Sequence, residues 1–222
     1  MNKKTIAKLL SISIHKTLIF NFRYFYFRTA IKIPVLINRN VILKNLGGKV
    51  ILNTKIESKK INIGFDNVGT FDIKRSKTIW EVKGKVIFNG SALIGQGSKI
   101  SVGTEGVLEI GDEFVITAET AIIALKRIAI GNNCLLSWDI LIMDTDFHEI
   151  IMKDKVINMP KEIHIGNNVW IGCRTTILKG SIINDGCIIG SNSVVTGELS
   201  KINSIYAGNP AKIIKENIHW EK

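Results

Sequence analysis

Two carboxylates and an imidazole alternate in the run Ile142-Met-Asp-Thr-Asp-Phe-His148, where Asp144, Asp146 and His148 sit two residues apart. In extended backbone that spacing sends all three side chains to one face. An imidazole beside carboxylates is a ready general base, because a carboxylate sets the tautomer and stabilises the imidazolium that forms. The same side chains are metal ligands, but the only histidines are His15, His148, His164 and His219, and His164 alone joins His148 in the patterned part of the chain. Too few ligands are at hand, so no metal centre is expected. By itself the motif also fits a surface histidine in a loop.

The scaffold that must position these residues is written in a period of six. An aliphatic residue returns at Ile165, Ile171, Ile177, Ile183, Ile189 and Val195, and the residue four places after each of the first five is small. Neither strand alternation nor a helical stripe has that period, whereas a parallel β-helix of hexapeptides does. The rhythm runs backwards through Ile130, Leu136 and Ile142, then Ile110, Ile116 and Ile122, and less cleanly through Ile94 and Ile100. Phase slips near Ser101 to Ile110 and Ile122 to Ile130 read as bulges or turn insertions. Gly, Asn and Asp after the aliphatic residue, as in Ile165-Gly-Asn-Asn, suit turns that need positive φ. From Glu149 to Glu162 the period is suspended, the mark of a loop extruded from a rigid scaffold.

The expected organisation is thus a basic aromatic N-terminal arm over 1–45, a repeat domain over 46–205 with a loop at about 144–162, and a C-terminal tail over 206–222. A content of 45% hydrophobic but 7% aromatic residues fits a narrow bore filled by Ile and Val. A β-sandwich shares the β-branched richness, yet nothing in it requires a fixed period of six.

Charge has a location. Residues 1–60 hold 13 Lys and Arg against the single acid Glu57, a balance of +12, so the remaining residues sum to −1 and the net +11 resides in the N-terminal quarter. The aromatic run Leu18-Ile-Phe-Asn-Phe-Arg-Tyr-Phe-Tyr-Phe27 lies there, too short and too charged to span a bilayer. Cations interrupt it and no small-residue cleavage site follows, which argues against a secretory signal and for a cytoplasmic location. Nucleic-acid binding is not expected, since a basic stretch without a reading module is a weak sign. Two uses of the arm stay open: peripheral contact with an anionic membrane surface at the inner face, or packing on the first coils or a neighbouring subunit. Both ends of such a coil need capping, and the arm and tail are suited to it. Cys134, Cys173 and Cys187 show no metal-type spacing.

The run from Ile165 to Ile214 includes Ile-Gly-Asn-Asn-Val-Trp-Ile-Gly-Cys, Ile-Leu-Lys-Gly, Ile-Gly-Ser-Asn-Ser-Val-Val-Thr and Tyr-Ala-Gly-Asn-Pro-Ala-Lys. With the loop histidine, it resembles the hexapeptide-repeat acetyltransferases over about residues 84–216. The resemblance implies an all-β, left-handed parallel β-helix; the usual rule for parallel crossovers would give the opposite hand. It also implies acetyl transfer from acetyl-CoA without a covalent enzyme intermediate. His148 matches the family's general base, and the backbone N–H of Cys173 matches the group that holds the thioester oxygen. A Cys173 thiol nucleophile is disfavoured, because no histidine is close in sequence to activate it.

The resemblance further implies a cofactor groove between two coils, with Trp170, Gly172, Gly190, Ser191 and Thr196 along it and Lys212 and Lys215 towards the nucleotide phosphates. Many relatives carry Lys directly after the residue matching Thr196, where this chain has Gly197; Lys179 and Lys201 are candidates to compensate. A shared groove implies a homotrimer about an axis parallel to the coil. The basic aromatic arm, the Asp-Thr-Asp-Phe-His motif and Trp220 together resemble enzymes of surface-polysaccharide synthesis, so a sugar hydroxyl is the expected acceptor. The alternatives are a sugar-nucleotide N-acetyltransferase and a non-catalytic β-helix scaffold.

Overall fold

The computed structural model describes residues 10–72 and 74–222, so the first nine residues of the expected arm lie outside them. Strands β1 (Val35–Ile37), β2 (Val41–Asn45) and β3 (Lys49–Leu52) make the first rung, and each founds one wall of a three-sided coil. The β1 wall runs through Ile61–Ile63, Ala92–Gln96, Phe114–Ala118, Leu135–Leu136, Trp170–Ile171 and Ile188–Ile189 to Ile205–Ala207. The β2 wall runs through Thr78–Val82, Lys99–Val102, Ala121–Ala124, Leu141–Met143 and Thr176–Leu178 to Val194–Val195. The β3 wall ends at Glu198–Leu199 after passing Arg127–Ile130, Ile163–Ile165 and Ile182–Ile183. Pairing within the coil is parallel throughout, as a parallel β-helix requires. Its first strands fall inside the segment assigned above to the arm.

Stacking puts like on like. On the β1 wall Ile94, Ile116, Leu136, Ile171 and Ile189 lie in register; on the β2 wall Ile100, Ile122, Ile142, Ile177 and Val195 do. All are buried, so the six-residue period is the bore itself. The N-terminal rungs differ: their strands reach four or five residues and enclose Trp80, Phe65, Phe88 and Phe114, so this end of the bore is wider than a filling of Ile and Val predicts. The phase slip after Ile122 is the turn at Leu125-Lys126, between Ala121–Ala124 and Arg127–Ile130.

An open coil leaves unpaired backbone groups on its first rung. Helix α1 (Ile14–Tyr24), followed by the short α2 (Phe27–Ala30), lies across that end. Its inner face carries polar side chains that bond the edge: Thr17 Oγ1 accepts the Ile37 N–H at 3.1 Å, and Asn21 accepts from the Val35 N–H at 3.2 Å while donating to the Val35 carbonyl at 2.8 Å. Lys16 Nζ donates to the Arg39 and Val41 carbonyls at 2.8 and 2.7 Å. Phe20 plugs the bore edge-on to Trp80, ring centroids 5.2 Å apart. At the far end, Lys212–Lys215 pairs antiparallel with Ile205–Ala207. Among the described residues no helix is long and apolar enough to cross a membrane.

Candidate active site

The loop leaves the β2 wall after Met143, and its first residue turns inward. Asp144 is fully buried, and its two carboxylate oxygens accept the backbone N–H groups of Leu125 and Lys126, each at 2.8 Å. Those N–H groups belong to the inserted turn one rung earlier. Thr145 Oγ1 then accepts the Phe147 N–H at 3.0 Å, the backbone at Phe147 takes φ +62°, and the His148 N–H bonds the Asp146 carbonyl at 2.7 Å. The extended run expected over 144–148 is therefore absent. Asp144 faces the coil while Asp146 and His148 face solvent, because the inserted turn offers the buried Asp144 carboxylate two backbone donors that the extended arrangement would leave unmatched.

Asp146 is a latch. It accepts from Lys179 Nζ and from Asn158 Nδ2, the latter at 2.8 Å, and the Lys179 bond holds its carboxyl below the usual carboxylate range. Lys179 also donates to the Asn158 carbonyl at 2.6 Å, which ties the loop to the end of Thr176–Leu178. Asn158 donates to the His148 carbonyl at 2.8 Å and accepts the Ile150 N–H at 2.6 Å. The His148 backbone is thus gripped on both sides. Its imidazole is exposed and has no hydrogen-bond partner among the described residues. Sequence reasoning missed Asn158, whose partners lie 8, 10, 12 and 21 residues away, and offered Lys179 only as a candidate, with Lys201, to replace a phosphate contact.

Where the period resumes, Trp170–Ile171 enters the β1 wall. Trp170 is 37% exposed, its Nε1–H bonds Ser137 Oγ at 3.2 Å, and Trp220 packs against it with ring centroids 6.0 Å apart. Trp220 is itself held by an Nε1–H bond to the Asn168 carbonyl at 2.8 Å. The Cys173 N–H has no acceptor among the described residues, whereas the Cys173 thiol lies 3.4 Å from Ser191 Oγ. Gly172 and Gly190 have a structural reason to lack side chains. A Cβ on Gly172 would stand 2.7 Å from the Ser191 nitrogen and 2.8 Å from the Ile189 carbonyl oxygen, and one on Gly190 would stand 2.9 Å from the Ala207 Cβ.

Ser191, Thr196, Lys212 and Lys215 are exposed, and neither Lys212 nor Lys215 is ion-paired among the described residues. Lys201 is drawn to Glu216 at 3.9 Å. Among the described residues no three His, Cys, Asp or Glu side chains gather where they could hold a metal ion. Trp170–Ile171 and Lys212–Lys215 belong to one wall, and Cys173 lies in the turn that follows the first of them.

A three-walled parallel coil with an extruded histidine loop is the architecture of the β-helical acyltransferases. Comparison with known proteins agrees. The family described as Bacterial transferase hexapeptide (six repeats) matches residues 162–197. WbbJ of Escherichia coli K12, provisionally named a lipopolysaccharide biosynthesis O-acetyl transferase, is 30% identical over 153 residues, covering 63% of this chain and 78% of that protein. A polysialic acid O-acetyltransferase of Escherichia coli is 32% identical over 135 residues, 60% of this chain but 41% of its own length. The crystal structure of the polySia specific acetyltransferase NeuO superposes with a TM-score of 0.51 at 26% identity, covering 85% of this chain and 79% of that one. The chain belongs to the hexapeptide-repeat acetyltransferases. It is an O-acetyltransferase with the family's left-handed parallel β-helix.

Proposed function

We propose that the enzyme transfers an acetyl group from acetyl-CoA to a hydroxyl of a saccharide in surface-polysaccharide synthesis, with His148 as general base. The observation that carries this is the seating of His148: its backbone is clamped by Asn158 and by the Asp146 turn, while its ring stands free in solvent. A base that must meet an incoming hydroxyl needs a fixed position and an unoccupied nitrogen. The names of the relatives, directed to lipopolysaccharide and polysialic acid, support a saccharide as acceptor.

Acetyl-CoA supplies the acetyl group as a thioester. His148 takes the proton of the acceptor hydroxyl as its oxygen attacks, and later returns that proton to the departing sulfur. The unmatched N–H of Cys173 holds the charge that gathers on the acyl oxygen. Trp170, Ser191 and Thr196 line the path of the pantetheine arm, and Lys212 and Lys215 hold phosphates at its far end. Gly172 and Gly190 keep the rungs close enough to leave that path open. The Cys173 side chain takes no part, in keeping with its hydroxyl partner Ser191 and with the absence, among the described residues, of a hydrogen bond from the thiol to an imidazole.

The enzyme works as a homotrimer in this reading. The hairpin of Ile151–Met152 and Lys155–Val156 carries exposed Ile150, Ile151, Met152, Ile157 and Met159, and a neighbouring coil would cover them. Asp144 is a positioning residue in this scheme, acting through the turn on which the loop stands.

Release of free CoA in the presence of mono- and oligosaccharide acceptors tests the proposal. His148→Ala should lose about 10²–10⁴-fold in rate with an unchanged melting temperature, and Cys173→Ser should turn over near normally. Wild-type activity in His148→Ala on the best acceptor would sink the assignment.

A further inference from the structure

Ser13, just before α1, and the inner-face residues Lys16, Thr17, Phe20 and Asn21 close the coil, so capping is complete without the residues on the outer face. That outer face is mainly apolar, with His15 and Arg23 its exposed polar side chains. Ile14, Leu18 and Phe22 recur every fourth residue with Ile19 beside them, all exposed, and Ile14 reaches 74%. Tyr26 and Phe27 continue the surface at 93% and 69% exposure, with the Phe27 ring 6.1 Å from that of Phe22. A terminal cap that met only water would be polar outside. Contiguous exposed aromatics at the end wall of a solenoid call for an occupant.

Charge selects it. Arg23, Arg28, Lys32 and Arg39 are exposed around the apolar stripe, none is ion-paired among the described residues, and the chain has no acidic residue before Glu57. A second copy docked through the same face would bring two all-positive surfaces together, which is repulsive. A negatively charged lipid surface pairs with the cations and takes the rings into its headgroup layer. We infer that the α1–α2 cap is a docking surface for an anionic bilayer, on which the coil stands end-on. The helix is too short to cross and lies in the plane of the interface. In a trimer with parallel coil axes, as in the functional reading above, three caps would share one plane and bind together.

The test is co-sedimentation of the full chain with phosphatidylcholine vesicles made with and without phosphatidylglycerol. Binding is expected only to the anionic vesicles and is reversed by high salt. Phe22→Ser with Phe27→Ser should weaken it roughly ten-fold or more, since two ring burials are lost. Arg28→Glu with Lys32→Glu should do so by about the same factor. Both pairs alter exposed side chains, so melting temperature and acetyl transfer to a soluble acceptor should stay at wild-type values, which separates failure here from failure of the catalytic reading. Equal binding to neutral vesicles, or full binding by the Phe22 and Phe27 variant, would overturn the inference. So would a fall in oligomer mass caused by that variant, since the face would then join copies of the chain.

Discussion

Replacing Asp144 by Ala separates a structural carboxylate from a catalytic one. The side chain is 0% exposed and accepts two backbone N–H groups at 2.8 Å each. Truncation leaves both donors of a half-buried turn without their partner, at up to about 1–3 kcal/mol apiece where water cannot replace it, and opens a small void around the buried side chain. Water replaces part of the loss at the exposed Lys126, so a total of about 2–4 kcal/mol follows. For a chain of this size each kcal/mol moves the melting temperature by about 2–4 °C, so Asp144→Ala should melt roughly 10 °C lower. Asn keeps one acceptor and turns its amide donors on the other N–H, so Asp144→Asn should fall between. The assay is thermal unfolding followed by circular dichroism at fixed protein concentration, alongside CoA release well below the transition. A variant that melts like wild type yet loses acetyl transfer would refute this account and return Asp144 to the reacting atoms.

Other expectations follow from single contacts. Gly172→Ala should cost about 1–3 kcal/mol, since its Cβ would meet backbone atoms of the next rung at 2.7 and 2.8 Å; chemical denaturation measures it. At Gly197, by contrast, a Cβ meets nothing within 4 Å. Gly197→Lys should therefore fold normally and, by adding a cation beside Thr196, lower KM for acetyl-CoA several-fold in steady-state kinetics. The depressed carboxyl of Asp146 makes the Lys179 latch a contribution present above the ordinary carboxylate pKa and lost as pH falls through its lowered value. Hydrogen exchange in residues 146–158 should accordingly rise only in acid below the normal carboxylate range, and Lys179→Met should remove that pH step.

Much of the scaffold was legible because its cause is local. A bore position every six residues is a packing requirement repeated rung after rung, so Ile165 to Val195 announce themselves in one dimension. The same logic marked the loop, since suspension of the period after Ile142 is where the chain leaves the wall. The site was legible only by type. Asp144 and Asp146 look equivalent in the motif, yet one binds the Leu125-Lys126 turn and the other binds Lys179 and Asn158. The signal for the first was already present as the phase slip after Ile122, because an inserted turn leaves N–H groups that need an acceptor.

From sequence alone, then, come the coil, its bore, the place of the loop and the concentration of positive charge in the first quarter, all properties of a residue and its near neighbours. Only the tertiary structure decides which carboxylate is buried, that Trp220 braces Trp170 from 50 residues away, and that one face of α1 seals the first rung while the other stays bare. Each depends on which backbone donors and acceptors stacking leaves unpaired, and that is settled between rungs far apart in the chain.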